Sequence, residues 1–207
     1  MQNTSRTSGG PDGRPPPPHK GYYRRGDHHP PHIDVAGLAQ HVIFRLEGSM
    51  PAARLAEIRR QFRDDALDDE QYLLMVDGEL DIGRGPTWLG RSEIGAKIKE
   101  SLEFFDNQRY VLHAWCVMPN HVHTLFTPQG IYPMESILHS WKSFTANQCN
   151  GLLKRRGAFW QEDYFDRYMR DADDLLATAR YIANNPVKAG LAKSFREWPF
   201  TGGRLIV

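Results

Sequence analysis

Residues 109–127 read RYVLHAWCVMPNHVHTLFT. Two runs rich in β-branched and aromatic residues flank Met118, Pro119 and Asn120, a trio typical of a turn. Two such runs around a short turn predict a β-hairpin. Because both runs are apolar at nearly every position, we expect their strands to be covered on both faces and to lie at the centre of a sheet.

Around this hairpin, the sequence predicts one further strand and four helices. Residues 41–46, HVIFRL, are typical of a strand. The first predicted helix begins near Pro51. Three more cover residues 92–105, 134–153 and 173–184, and Pro186 ends the last of them. The glycines of residues 77–90 predict a loop, and the acidic residues 64–70 predict a solvent-exposed segment. Strands and amphipathic helices that alternate irregularly around an antiparallel hairpin indicate an α+β fold, with a central antiparallel sheet and helices packed on it.

The first 31 residues differ in composition from the rest of the 207-residue chain. They hold seven of the fourteen prolines, and five Lys/Arg against two Asp. Such a segment buries too little apolar surface to offset its ordering entropy, so we predict a disordered basic tail over residues 1–31 and a single domain over residues 32–207. With a net charge of only +1 for the whole chain, any DNA contact must come from local patches.

The sequence contains none of the features expected of a membrane or secreted protein. No apolar run approaches the roughly 20 residues that cross a bilayer, and the N-terminus has no apolar signal core. Cys116 and Cys149 form no CxxC pair, and we expect both to be buried thiols in a reducing environment. These observations predict a cytoplasmic protein without a membrane partner.

His121 and His123 are the first candidates for chemistry. Residues two apart on a strand point to the same face, so both imidazoles project together while Val122 enters the opposite layer. Two adjacent imidazoles provide half of a metal site. A hydrogen-bonded histidine pair under a helix is the alternative, and we interpret His113 on the neighbouring strand as structural.

Tyr181 and Asn185 are the second pair of candidates. Residues four apart share one face of a helix, so the phenol and the amide approach the same site. Tyr181 lies off the centre of the apolar stripe of its helix, which favours a functional role over a purely packing one. An ordinary tyrosine at the boundary of the core is the alternative.

These residues lie within five stretches that together resemble the single-tyrosine HUH transposases, and in particular their REP-associated tyrosine transposase branch, relatives of the insertion-sequence 200/605 enzymes. The stretches are MPNHVHTLF (118–126), HSWKSF (139–144), FWQ (159–161), DYFD (163–166) and YIANNPVKAGL (181–191). The resemblance extends over roughly residues 22–200. It implies the HUH, ferredoxin-like version of the α+β fold.

The resemblance also implies roles for individual residues. His121 and His123 match the metal-binding histidines, Tyr181 matches the nucleophile, and Asn185 matches a third ligand that is commonly glutamine in insertion-sequence members. The expected cofactor is Mg²⁺ or Mn²⁺. The expected reaction is cleavage and strand transfer of single-stranded DNA through a 5′-phosphotyrosine intermediate. The expected partner is hairpin-forming, REP-like DNA at the nucleoid, with a homodimer as one possible assembly.

Basic and aromatic residues interleave within and after the third predicted helix, as in proteins that bind single strands. The candidate phosphate-binding residues are Lys142, Lys154, Arg155, Arg156, Arg167 and Arg170. The candidate stacking residues are Trp141, Phe159, Trp160, Tyr164 and Tyr168, with a core position as the alternative for each. Two other functions stay open: a hydrolase whose metal ion activates water, and a regulator that binds hairpin DNA without cutting it.

Overall fold

The computed structural model describes residues 19–23, 32–64 and 66–206. The strands in this part of the chain are β1 (Gly21–Tyr23), β2 (His32–Asp34), β3 (Gln40–Leu46), β4 (Tyr110–Val117), β5 (His121–Pro128), β6 (Trp160–Tyr168) and β7 (Thr201–Gly202). The helices are α1 (Ala52–Arg63), α2 (Asp69–Asp81), α3 (Ser92–Phe104), α4 (Met134–Leu152) and α5 (Ala172–Lys188).

The predicted hairpin is confirmed and lies at the centre of the molecule. Strands β4 and β5 pair in antiparallel register, with Val117 opposite Val122 beside the turn. They belong to a five-stranded antiparallel sheet of order β6-β3-β5-β4-β7, so two strands lie on each side of β5. The α+β fold with a central antiparallel sheet is therefore confirmed, and the paired histidines lie on its middle strand.

Helices cover both faces of this sheet. On one face α3 and α4 pack against the strands, where Ile98 and Trp141 meet Phe126 and Val122 in the largest core cluster. On the other face α1 and α2 pack around Ile43, and α5 packs around Leu125. Because side chains alternate along β5, Val122 enters the first layer while His121 and His123 face α2 and α5. This alternation positions the candidate site.

The structure corrects two predicted boundaries. Residues 69–81 form helix α2, where the glycine pattern predicted a loop from residue 77. The Asp68 and Gln71 side chains form a capping box at its start, and the exposed Gly78 costs only about 1 kcal/mol in the helix interior. Helix α5 continues through Pro186 to Lys188, since a proline in the last turn removes only one late hydrogen bond.

An N-terminal ribbon is anchored on α4. Strand β1 pairs with β2, and the buried Asp34 accepts a hydrogen bond from the backbone N–H of Met134 at the start of α4. The predicted disordered tail included residues 21–23, which form β1 here, so the prediction is wrong for them. Residues 1–18 and 24–31 of that tail lie outside the described residues.

None of the helices in the described ranges is long and apolar enough to cross a membrane.

Gly95 provides a test of the packing between α3 and the end of the chain. A Cβ at this position would lie 2.7 Å from the ring of the buried Phe200. Replacing glycine by alanine in a helix interior normally stabilises the protein by about 1 kcal/mol. Here the close contact with Phe200 makes the same substitution destabilising. We expect Gly95→Ala to lower the free energy of unfolding by about 1–3 kcal/mol.

The matched control is Gly78→Ala in α2, where a Cβ meets nothing within 4 Å. That variant is expected to raise the free energy of unfolding by about 0.5–1 kcal/mol. Urea unfolding of both variants measures the two effects. A Gly95→Ala protein as stable as the Gly78→Ala protein contradicts the packing of Phe200 on α3.

Candidate functional site

The two histidines predicted from the HxH pattern converge on one point. Both side chains are fully buried on the face of β5 covered by α2 and α5. Their Nε2 atoms lie 3.0 Å apart, with the rings at 75° to each other. Two nitrogens that bind the same ion at about 2.1 Å are themselves separated by roughly 3.0–3.4 Å. The geometry therefore fits a pair of metal ligands.

Hydrogen bonds at Nδ1 set the orientation of each ring. Nδ1 of His121 lies 2.7 Å from Oδ1 of Asn120, whose Nδ2 donates to the carbonyl of Leu80. The amide is thereby oriented to accept, so His121 donates through Nδ1 and leaves the lone pair of Nε2 free. On the other ring, Nδ1 of His123 lies 3.1 Å from Nε2 of His41 on β3. Burial lowers the pKa of His121, although Asp77 opposes this, which favours the neutral, metal-binding form.

Asp77 on α2 is the third member of the cluster. Its Oδ1 atom lies 3.3 Å from Nε2 of His121 and 3.0 Å from Nε2 of His123. This oxygen is buried and makes no hydrogen bond within the described residues. Burial favours the neutral acid, but His123 and His121 outweigh it and hold the pKa of Asp77 well below its ordinary value. The cluster thus combines an ionised carboxylate with two imidazoles whose Nε2 atoms face it, and without their Nε2 protons these groups form a donor set suited to a divalent cation.

Sequence reasoning missed Asp77 because its segment was interpreted as a loop. The available signal was the capping box, which marks a helix start at Asp68 and would have placed Asp77 on the same helix. His41 was missed as well. It was included in a predicted strand, but its approach to His123 depends on the pairing of β3 with β5.

Tyr181 reaches the same carboxylate from α5. Its hydroxyl donates a hydrogen bond to Oδ2 of Asp77, the oxygen that does not face the histidines. Burial and the Asp77 carboxylate both raise the pKa of Tyr181 above its ordinary value. The phenol therefore stays protonated unless positive charge is brought beside it.

Lys188 lies one helical turn beyond the candidate ligand Asn185 and supplies such a charge. Its Nζ is 3.0 Å from Oδ2 of Asp77 and 3.4 Å from the hydroxyl of Tyr181. Burial opposes ionisation, but Asp77 and Asp81 raise the pKa of Lys188 and keep it protonated. The side chain is 45% exposed, so it is also accessible from solvent.

Asn185 is buried on α5, one turn after Tyr181. Neither polar atom of its side chain has a hydrogen-bond partner in the described part of the chain. A buried amide without partners costs about 1–3 kcal/mol, which is unusual for a purely structural residue. The three-residue cluster of Asp77 and the histidines does not include it, and its role as a ligand stays a prediction.

His113 bonds to the Thr127 hydroxyl outside the cluster.

The candidate DNA-binding residues fall into two groups. Lys154, Arg156 and Arg170 are exposed, although Arg170 also donates to Asp174 and lies 3.6 Å from Glu70. The other three are held by their own chain: Lys142 by the carbonyls of Gln161 and Glu162, Arg155 by Asn150 and Ala158, and Arg167 by Asp174 and Thr178. The predicted stacking role is wrong for four aromatic residues that form part of the core, because they fill the layer under α4; they are Trp141, Phe159, Trp160 and Tyr164.

Comparisons with known proteins agree with this geometry. Residues 91–185 match the family model described as "Transposase IS200 like". The chain is 31% identical over 93 residues to a REP-associated tyrosine transposase of Escherichia coli (strain K12), over 44% of this chain and 53% of that protein. It is 26% identical over 121 residues to a putative REP-associated tyrosine transposase of Haemophilus influenzae, over 53% of this chain and 66% of that protein.

The chain thus spans between about half and two thirds of the length of these curated relatives. Its fold is also similar to the solved structure of a REP-associated tyrosine transposase bound to a REP hairpin, with a TM-score of 0.57 and 18% identity over 85% of this chain and 81% of that one. Over residues 91–185 the chain is therefore similar to the IS200-like transposases, and both curated relatives are named as REP-associated tyrosine transposases.

Proposed function

We propose that this protein is a metal-dependent endonuclease and strand transferase, which cuts single-stranded, hairpin-forming DNA through a covalent link to Tyr181. The observation that carries the proposal is the shared carboxylate of Asp77. One of its oxygens faces the Nε2 atoms of His121 and His123, and the other accepts the hydrogen bond of the Tyr181 hydroxyl. The candidate nucleophile is thus held directly beside the candidate metal ligands.

Each residue has a defined task in the proposed reaction. The Tyr181 oxygen attacks the scissile phosphorus, a P–O bond to the phenol forms, and the P–O3′ bond breaks to leave a 5′-phosphotyrosine and a free 3′-hydroxyl. The Oδ2 atom of Asp77 accepts the hydrogen bond of the phenol and orients its oxygen, and the Lys188 ammonium stabilises the negative charge that develops there. The phenol proton passes to solvent, and the departing 3′-oxygen takes a proton from solvent. Attack by a 3′-hydroxyl on the phosphotyrosine reverses these steps and reseals the strand.

The proposed ligands are His121, His123 and Asp77, with Asn185 as a further candidate. Two imidazoles, a carboxylate and an amide oxygen suit Mn²⁺ or Mg²⁺. When bound, the divalent ion supplies positive charge to the phosphate and polarises the phosphoryl group. This charge also offsets the effect of the Asp77 carboxylate on the phenol.

The proposed substrate rests on the relatives. The solved neighbour is described as bound to a REP hairpin, and both curated relatives are named for REP association. We propose repeat DNA that folds into a hairpin, encountered in the cytoplasm at the nucleoid, with a homodimer as a possible assembly. Lys154 and Arg156 are exposed cations available to its phosphates. Lys142, Arg155, Arg167 and Arg170 contribute only if they exchange their present partners.

The wild-type protein tests this proposal directly. We expect end-labelled hairpin oligonucleotides with unpaired flanks to give a protein–DNA adduct that survives denaturing electrophoresis in Mn²⁺ and is absent in EDTA. Metal-dependent cutting without any adduct would support the hydrolase instead. Hairpin binding with neither cutting nor adduct would support the regulator.

Asp77→Asn gives a sharper test of the shared carboxylate. The amide keeps the shape of the side chain but removes the negative charge between the histidines and Tyr181. We expect the affinity for Mn²⁺, measured by titration calorimetry, to fall by about 10–100-fold, and single-turnover cleavage to slow by at least as much. The matched control is Glu79→Gln on the same helix, because the Glu79 carboxylate accepts hydrogen bonds from Arg54 and Arg84 outside the three-residue cluster. Equal effects in the two variants would remove Asp77 from the ligand set.

A further inference from the structure

A groove leads from the surface to the proposed nucleophile. It lies between α2 and α5, has β3 as its floor, and has a volume of about 110 Å³. The lining residues on the two helices include Glu70, Leu73 and Leu74 on α2 and Asp174, Ala177 and Tyr181 on α5. On each helix these residues recur every three or four positions, so the groove follows the helices to the point where Asp77 and Tyr181 meet.

The walls of the groove are apolar and its mouth is polar. Leu73 and Leu74 on α2 lie opposite Ala177 on α5, and Leu74 remains 45% exposed. These side chains give the groove an apolar surface that a flat ligand can cover. At the mouth, Glu70 presents a carboxylate that is only loosely paired, 3.6 Å from the guanidinium of Arg170.

The charges in the groove exclude a phosphate as its occupant. Arg167 donates two hydrogen bonds to Asp174 and one to Thr178, so its positive charge is already neutralised. The carboxylates of Glu70 and Asp174 would repel a phosphate. The groove suits a flat, uncharged group with apolar faces and polar edges, which is the description of a nucleobase.

We propose that this groove is a subsite for an unpaired nucleobase next to the scissile phosphate. The inference rests on the proposed function, because attack by Tyr181 places the phosphorus at the inner end of the groove. A nucleotide joined to that phosphate has its base within reach of the slot between Leu73 and Ala177. Since Glu70 accepts but does not donate hydrogen bonds, the subsite favours the bases with an exocyclic amino group, adenine, cytosine and guanine, over thymine.

A randomised substrate tests the subsite without knowledge of the natural target. Hairpin oligonucleotides with six randomised unpaired positions on each side of the stem are incubated with the full chain and Mn²⁺, and the DNA of the covalent adducts is sequenced. We expect enrichment of the amino-bearing bases adenine, cytosine and guanine over thymine at one position adjacent to the cut. The side on which it falls, 5′ or 3′, shows which neighbouring nucleotide enters the groove.

Two variants separate the groove from the catalytic machinery. Ala177→Phe fills the slot from an exposed helical position, and should remove the enrichment at that one position while other preferences remain. Ala172→Phe, the same change at an exposed position of α5 outside the groove, should keep the wild-type pattern. Enrichment that persists in Ala177→Phe, or a wild-type pool without a preference against thymine beside the cut, overturns the subsite while leaving the proposed function intact.

Binding in EDTA provides a reading that is independent of chemistry. The same pool is bound to wild type and to Ala177→Phe without metal, and the retained DNA is sequenced. A base preference that wild type shows and Ala177→Phe lacks supports the subsite even if no adduct forms in Mn²⁺. Identical retained pools for the two proteins overturn it.

Discussion

Tyr181→Phe is expected to abolish the covalent protein–DNA adduct and to lower the single-turnover cleavage rate by a factor on the order of 10⁴–10⁶, the range seen when an enzyme loses its nucleophile. The substitution removes one oxygen and keeps the ring, which packs half-buried against the cluster around Leu125. The fold and the metal ligands stay in place. Hairpin binding, measured by fluorescence anisotropy, should therefore change by less than about twofold.

The matched control is Tyr168→Phe at the end of β6, a partly buried tyrosine that is outside the three-residue cluster. It should form the adduct at the wild-type rate. Metal-dependent cutting that survives in Tyr181→Phe would identify water as the nucleophile and would support the hydrolase. An adduct that persists in Tyr181→Phe would assign the covalent link to another residue.

His121→Ala is the second variant with a large expected effect. It removes one of two converging Nε2 atoms and leaves the Asp77 carboxylate with a single imidazole. Loss of a direct ligand exceeds the effect of losing a supporting hydrogen bond, so we expect Mn²⁺ affinity to fall by more than about 100-fold and cleavage to become undetectable. Most hairpin binding should remain, because the site is buried beneath α2 and α5.

His113→Ala is the control for His121→Ala. His113 lies on the adjacent strand β4, and its ring bonds to the Thr127 hydroxyl away from the cluster. The variant should keep wild-type Mn²⁺ affinity by calorimetry, and circular dichroism of both variants checks that the sheet is intact. Unimpaired cleavage by His121→Ala would rule out the proposed metal site.

Several features of the fold were predictable because they depend on near neighbours in the chain. The hairpin follows from two apolar runs around Met118-Pro119-Asn120, and the shared direction of His121 and His123 follows from the two-residue repeat of a strand. Similarly, Tyr181 and Asn185 were placed on one helix by their spacing. The errors occurred where local preference competed with packing, at Gly78 within α2 and at Pro186 within α5.

The sequence by itself determined the central hairpin, the histidine pair and the candidate tyrosine, since all three depend on local periodicity and on a motif of fixed spacing. Only the tertiary structure decided what surrounds them. Asp77 reaches the histidines because α2 packs on the same face of the sheet as α5, and His41 reaches His123 because β3 pairs with β5. These contacts depend on how elements distant in the sequence pack together, and residue spacing along the chain does not encode that packing.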